Sequence, residues 1–99
     1  MSNDTTPSGS ALRLPSSLRI ADVGEFRAQC DAALEGEGML GCEADGVEFI
    51  DAAGLQLLVA LARTCAERSR GFEVRAPSAA FTGAARVAGF GALLGMAPG

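Results

Sequence analysis

The 99-residue sequence contains no histidine and no lysine, and it has only three cysteines. Histidine is the most frequent general base in enzymes and a common zinc ligand, so its absence removes both roles at once. The three cysteines, Cys30, Cys42 and Cys65, form no C-x-x-C pair and stand among apolar residues. We therefore expect no metal site and no cofactor, and we expect the thiols to be buried and reduced.

Long apolar runs and clusters of positive charge are also missing. The longest apolar run, Leu57 to Ala62, is far shorter than the ~20 residues that cross a bilayer. The eight basic residues are arginines scattered from Arg13 to Arg86, and the formal net charge is −4, so no nucleic-acid partner is expected. Residues 1–10 carry neither positive charge nor an apolar segment. They predict a disordered tail rather than a signal peptide, and hence a cytoplasmic protein without direct membrane insertion.

With 48% hydrophobic residues, the chain is large enough for one domain with a core, which we assign to residues 11–96. Segments with strand-like alternation and segments with helical periodicity follow one another along it. The predicted strands are 11–14, 18–20, 39–44, 47–50 and 72–76, and the predicted helices are 22–34, 52–69 and 79–88, with a closing turn or short helix at 90–96. Helices between strands predict an α/β domain with an at least partly parallel sheet.

Local patterns also predict the ends and buried faces of the helices. Asp22 and Glu25 have the spacing of a capping box, and Ser78 is a suitable N-cap for the last helix. Arg68 and Arg70 suit the negative C-terminal end of the middle helix. The predicted apolar stripes are Val23, Phe26, Cys30 and Leu34 in the first helix, and Leu55, Leu58, Ala62, Cys65 and Ala66 in the middle helix, where Leu57 and Leu61 widen the stripe.

The segment 46–61 joins a short strand to the middle helix through Asp51, two alanines and Gly54-Leu55. This order of strand, Asp, two small residues, Gly-Leu and apolar helix resembles the signature of STAS domains, and the resemblance extends over residues 11–96. It implies a STAS-like single domain with a four- or five-stranded mixed sheet and three to four helices packed against it. It also implies a non-catalytic protein-binding surface around Asp51 and the start of the following helix.

The predicted partner-binding residues are Glu48, Asp51, Ala52, Ala53, Gly54, Leu55 and Gln56. The small side chains leave room for another protein's backbone, and the first N–H groups of the helix carry a partial positive charge that Asp51 can cap. In anti-sigma-factor antagonists of the switching kind, the residue before the Gly is a Ser that a partner kinase phosphorylates. Here that position is Ala53 and Ala52 precedes it, so this site cannot use the switch.

The resemblance leaves two partner classes open. One is an anti-sigma factor of the histidine-kinase-like ATPase type, or a signalling scaffold, which the chain would bind constitutively. The alternative is the ATPase of a phospholipid-trafficking ABC system, whose small STAS subunits also have Ala before the Gly but usually have Thr at the position of Ala52. Catalysis is not expected, because the sequence has no histidine, no paired carboxylates on one face and no Walker or G-x-G-x-x-G motif.

Overall fold

The computed structural model describes residues 9–91 and residue 94, and five strands and three helices follow one another there in the predicted order. They are β1 (Gly9–Arg13), β2 (Ser17–Leu18), α1 (Val23–Leu34), β3 (Met39–Glu43), β4 (Phe49–Ile50), α2 (Ala52–Glu67), β5 (Phe72–Arg75) and α3 (Ala79–Ala88). Strand β1 begins at Gly9, two residues before residue 11, where the predicted domain starts. The remainder of the predicted tail, residues 1–8, lies outside the described part of the chain.

The strands form two parallel sheets, whereas the sequence predicted one mixed sheet of four or five strands. In the larger sheet β3 lies between β1 and β5, and in the smaller sheet β2 pairs with β4. Every strand pairing found within residues 9–91 is parallel. Each of the connections β1 to β3 and β3 to β5 therefore passes through a helix, as parallel neighbours require.

The two sheets are separated where two neighbouring strands, β1 and β3, both stop pairing at nearly the same position along the sheet. The N–H of Leu14 still donates to the carbonyl of Glu43 at 3.0 Å, but Pro15 has no N–H with which to continue the ladder. The neighbouring strand is interrupted one step later by the predicted turn at Asp45-Gly46. Pairing resumes in β2 and β4, so the smaller sheet continues β1 and β3 beyond a shared interruption.

Helix α2 is the central element of the core, since it contacts α1, α3, β4 and β5. Most of its predicted stripe is confirmed, but Ala62 is only half-buried and Ala66 is exposed. The prediction that Ala66 is buried is wrong. Ala66 follows the buried Cys65 and is rotated about 100° from it around the helix, which turns it toward solvent. The buried residues of the whole core are Leu12, Leu14, Leu18, Phe26, Cys30, Leu40, Cys42, Ala44, Val47, Leu55, Leu58, Val59, Leu61, Cys65, Phe81, Ala85 and Leu94.

The turn between β2 and α1 differs from the prediction. The carboxylate of Asp22 makes no capping bond to α1; it accepts from the Ser17 hydroxyl at 2.8 Å and from the Arg19 N–H at 2.9 Å. The hydrogen bond from the Arg19 N–H, and to a smaller extent the one from the Ser17 hydroxyl, hold the pKa of Asp22 below its ordinary value. Because this turn ends β2 at Leu18, the alternation stops there, and Ile20 is 73% exposed instead of buried beside Leu18.

Two arginines that follow α2 stabilise the C-terminal end of α1. Arg70 donates to the carbonyls of Ala33 at 3.0 Å and Gly38 at 2.7 Å, and Arg68 donates to the carbonyl of Leu34 at 3.0 Å. The last carbonyl groups of a helix have no partner within the helix, and a cation satisfies both their hydrogen-bonding capacity and their partial charge. The prediction assigned these arginines to the end of their own helix, and the packing of α1 against α2 directs them to its neighbour.

The caps of α3 are as predicted. The Ser78 hydroxyl accepts from the Phe81 N–H at 3.1 Å and donates to the Val47 carbonyl at 2.6 Å, which attaches the helix start to the segment before β4. Gly89 ends the helix in the left-handed conformation, with φ of 76°. Leu94 is fully buried, and its N–H bonds to the carbonyl of Phe90 in the predicted closing turn. Residues 92, 93, 95 and 96 of that turn lie outside the described residues.

Candidate functional site

Asp51 connects the start of α2 to the turn that follows β2. Its Oδ1 accepts from the Gly54 N–H at 3.2 Å, and its Oδ2 accepts from the Ile20 N–H at 3.0 Å. The first bond is the N-cap predicted from the sequence, while the second joins residues far apart in the chain. Because each oxygen has its own backbone donor, the carboxylate is fixed in position.

Asp51 is ionised at neutral pH. Burial acts to raise its pKa, but hydrogen bonds from the N–H groups of Ile20, Gly54 and Ala53 outweigh burial and hold the pKa below the ordinary value of 3.8. The charge lies at the positive end of the α2 dipole and neutralises part of it. The start of α2 is therefore already capped from within the chain.

Five of the predicted partner-binding residues form an accessible surface, which we call the α2 N-terminal surface. Glu48, Ala52 and Gln56 are exposed, and Asp51 and Ala53 are half-buried. The two alanines present little more than backbone and a methyl group. Another protein can therefore approach the first turn of α2 closely at this point.

Gly54 and Leu55, the other two predicted partner-binding residues, are buried, and Leu55 lies in the apolar stripe predicted for the middle helix. The side chain of Leu55 is 1% exposed. A Cβ added to Gly54 would lie 2.2 Å from the carbonyl oxygen of Leu18 and 3.0 Å from Cγ1 of Ile50. The missing side chain thus allows α2 to pack against β2 and β4, and it serves a contact within the chain rather than one with a partner.

Sequence reasoning missed three residues beside Asp51, namely Arg19, Ile20 and Phe49, which we call the Arg19 patch. Ile20 is 73% and Phe49 is 53% exposed. The guanidinium carbon of Arg19 lies 5.1 Å from the centre of the Phe49 ring, a cation–π geometry. The alternation Leu18-Arg19-Ile20 had indicated a strand with Ile20 inside, and only the turn after β2 brings Ile20 to the surface.

The α2 N-terminal surface has carboxylates but no side-chain hydroxyl. The positions that precede Gly54 are Ala52 and Ala53, so no hydroxyl is present there. In the described part of the chain, no three Cys, Asp or Glu residues are arranged to hold a metal ion, and Cys30, Cys42 and Cys65 are buried free thiols. None of the helices within residues 9–91 is long and apolar enough to span a bilayer.

The fold has a counterpart among solved structures. The crystal structure of a sulfate transporter family protein from Wolinella succinogenes superposes with a TM-score of 0.75 at 18% sequence identity. The match covers 92% of this chain and 75% of that protein. At this level of identity the similarity concerns the fold. No curated protein matches the sequence.

The sequence itself matches a family model over nearly its whole length. The model is described as "Mlab, STAS domain", and it aligns with residues 1–95. The aligned region contains every strand and helix of the fold, together with Asp51 and the start of α2. The chain therefore belongs to the STAS domain family, whose members act as protein-interaction modules.

Proposed function

We propose that this chain is a non-catalytic docking subunit that binds an ATPase through the α2 N-terminal surface. The observation that carries the proposal is the exposure of Ala52 beside a carboxylate that the fold holds in place. Small, rigidly positioned residues suit close contact with a partner backbone and supply no reactive group. Because ATP is a cytoplasmic metabolite, the proposal includes a cytoplasmic location.

The absence of a hydroxyl supports a constitutive interaction. Phosphorylation adds up to about two negative charges, and at the start of a helix it resets the affinity for a partner. With Ala52 and Ala53 in place, this surface cannot be switched in that way. Binding is then set by the concentrations of the two proteins and by competition.

We infer that the partner is the ATPase of an ABC-type phospholipid transport system. The family model that matches the chain is described as "Mlab, STAS domain", and the STAS subunits of such systems resemble this chain in having Ala before the Gly. The sequence alone had favoured an anti-sigma factor of the histidine-kinase-like ATPase type. That partner remains the second candidate, because the same α2 N-terminal surface is the docking face in the antagonists that the chain resembles.

The test is a calorimetric titration of the full chain with each of two purified proteins from the same host, the ABC ATPase and the anti-sigma ATPase. The matched variants are Ala53→Asp and Val87→Asp. Aspartate at position 53 lies in the first turn of α2 and is compatible with the helix dipole, so the domain stays folded. Val87 is 91% exposed on α3, so the same carboxylate is introduced there outside the proposed surface.

We expect the unmodified chain to bind the ABC ATPase, and Ala53→Asp to weaken that binding at least tenfold while Val87→Asp leaves it unchanged. Circular dichroism and the urea midpoint check that both variants are folded. Binding to the anti-sigma ATPase alone would assign the chain to the second partner class. If neither ATPase binds, or if Ala53→Asp binds as tightly as the unmodified chain, the proposal is wrong.

A further inference from the structure

The Arg19 patch extends the α2 N-terminal surface and indicates what the partner presents to it. We infer that Ile20 and Phe49 receive an apolar side chain of the partner, and that Arg19 pairs with an acidic side chain next to it. This inference rests on the proposed docking function, since it specifies the chemistry of the same interaction.

The three residues form one continuous region with Asp51. Strands β2 and β4 are paired, which places Leu18 opposite Ile50, and the cation–π contact then brings Arg19 and Phe49 together. The hydrogen bond from the Ile20 N–H to Asp51 fixes Ile20 beside the start of α2. Both exposed apolar side chains therefore lie on backbone that the fold holds rigidly.

The exposed apolar groups are unusual for this molecule. Within the described residues, only four large hydrophobic side chains are exposed, namely Ile20, Met39, Phe49 and Val87. Two of the four belong to the Arg19 patch, next to the surface that the family resemblance identifies. Apolar groups that cluster at one place and are rimmed by polar residues are typical of protein-binding surfaces.

The positive charge of Arg19 indicates which kind of side chain the partner places next to its apolar residue. The ion pairs found in residues 9–91 involve Arg13 and Arg75, and Arg19 takes part in none of them. The nearby carboxylate of Asp51 already accepts one backbone hydrogen bond on each oxygen, and Asp22 accepts from Ser17 and Arg19 N–H. The Arg19 guanidinium is thus left with donors for a carboxylate that comes from outside the chain.

A second copy of this chain fits the patch less well. In a symmetric dimer the same patch would meet itself across a two-fold axis, and each copy would bring Asp22, Glu48 and Asp51 to the interface together with Arg19. Such an interface would hold more carboxylates than guanidinium groups and would repel itself, whereas a different protein can present a single acidic residue to Arg19. The patch is therefore assigned to a segment of the partner ATPase in which an apolar residue adjoins Asp or Glu.

The chain offers a matched control for this inference. Arg19-Ile20 and Arg86-Val87 are both an exposed arginine followed by an exposed aliphatic residue, and the second pair lies on α3. The experiment titrates the purified ABC ATPase, or the anti-sigma ATPase if that one binds, with Arg19→Gln, Ile20→Ser, Arg86→Gln and Val87→Ser. Each titration is repeated at low and high salt, and sedimentation of each variant alone reports self-association.

We expect Ile20→Ser to weaken binding about tenfold or more, as loss of a buried aliphatic side chain would. We expect Arg19→Gln to weaken it about fivefold and to reduce its salt dependence, while the two α3 variants match the unmodified chain. If the unmodified chain binds the ATPase and both Arg19→Gln and Ile20→Ser bind it as tightly as the unmodified chain does, the inference is wrong and the docking function stands. If Ile20→Ser changes self-association of the chain alone, the patch belongs to a second copy. If no ATPase binds, the docking function fails and this inference fails with it.

Discussion

Single residues at the start of α2 have small side chains for two different reasons. Ala52 is exposed and Ala53 is half-buried, and the proposed docking function relates their small size to contact with a partner. Gly54 is buried against the Leu18 carbonyl, so its missing side chain concerns what lies inside. The sequence shows only that Ala52, Ala53 and Gly54 are three small residues in a row. It does not distinguish a residue that is small for an external contact from one that is small for internal packing, because that depends on which side of the helix meets β2 and β4.

The role of Gly54 gives a prediction about stability. In Gly54→Ala the new Cβ would meet the backbone oxygen of Leu18, which cannot rotate away, so α2 or β2 must shift. We expect the free energy of unfolding to fall by about 1–3 kcal/mol, as overpacking of a core does. Urea denaturation followed by circular dichroism measures the change.

Gly83 is the control, because it lies inside α3 and a Cβ there meets nothing within 4 Å. Gly83→Ala should raise the free energy of unfolding by about 0.5–1 kcal/mol, since alanine loses less conformational entropy in a helix than glycine does. Equal effects of the two substitutions would contradict the assigned packing of Gly54.

Among the elements, the contact between α1 and α2 depends on a side chain beyond the end of α2. Arg70 lies close to the C-terminal end of α1 and donates to the carbonyls of Ala33 and Gly38. It therefore connects the end of the first helix to the chain that leads into β5. Helical periodicity predicts both helices, but it says nothing about which chain segment satisfies the last carbonyls.

Removal of the Arg70 guanidinium should loosen this contact. In Arg70→Met the aliphatic part of the side chain is kept and the guanidinium donors are lost, so the Ala33 carbonyl keeps only its backbone donors and the Gly38 carbonyl loses its bond to Arg70. We expect the free energy of unfolding to fall by about 1–2 kcal/mol and amide hydrogen exchange to increase in the last turn of α1. Arg63→Met, on the exposed side of α2, should change stability by less than about 0.5 kcal/mol. Unchanged exchange in α1 of Arg70→Met would show that water serves these carbonyls equally well.

For the whole molecule, the three thiols report on the integrity of the core. Cys30, Cys42 and Cys65 come from α1, β3 and α2, and all three are buried. Burial raises the pKa of Cys30 to about 11 and that of Cys42 to about 12, and it also raises the pKa of Cys65. A raised pKa leaves less reactive thiolate at any lower pH, and burial also excludes the reagent.

We therefore expect iodoacetamide at about pH 8 to label the native protein very slowly and the urea-unfolded protein rapidly. The three cysteines should react together, because the same core must open for each of them. Mass spectrometry of the intact protein measures this: unlabelled and triply labelled species should dominate. A singly labelled species that accumulates under native conditions would show that one part of the core opens by itself.

The sequence by itself determined the order of elements, the N-caps at Asp51 and Ser78, the buried faces of α1 and most of α2, and the family. These features depend on neighbours within a few residues, or on a periodicity that any strand or helix must follow. The tertiary structure decided the division into two sheets, the burial of Gly54, the target of Arg70, and the exposure of Ile20 beside Phe49. Each of these depends on contacts between residues far apart in the chain, such as Ile20 with Asp51, and no local pattern records such a contact.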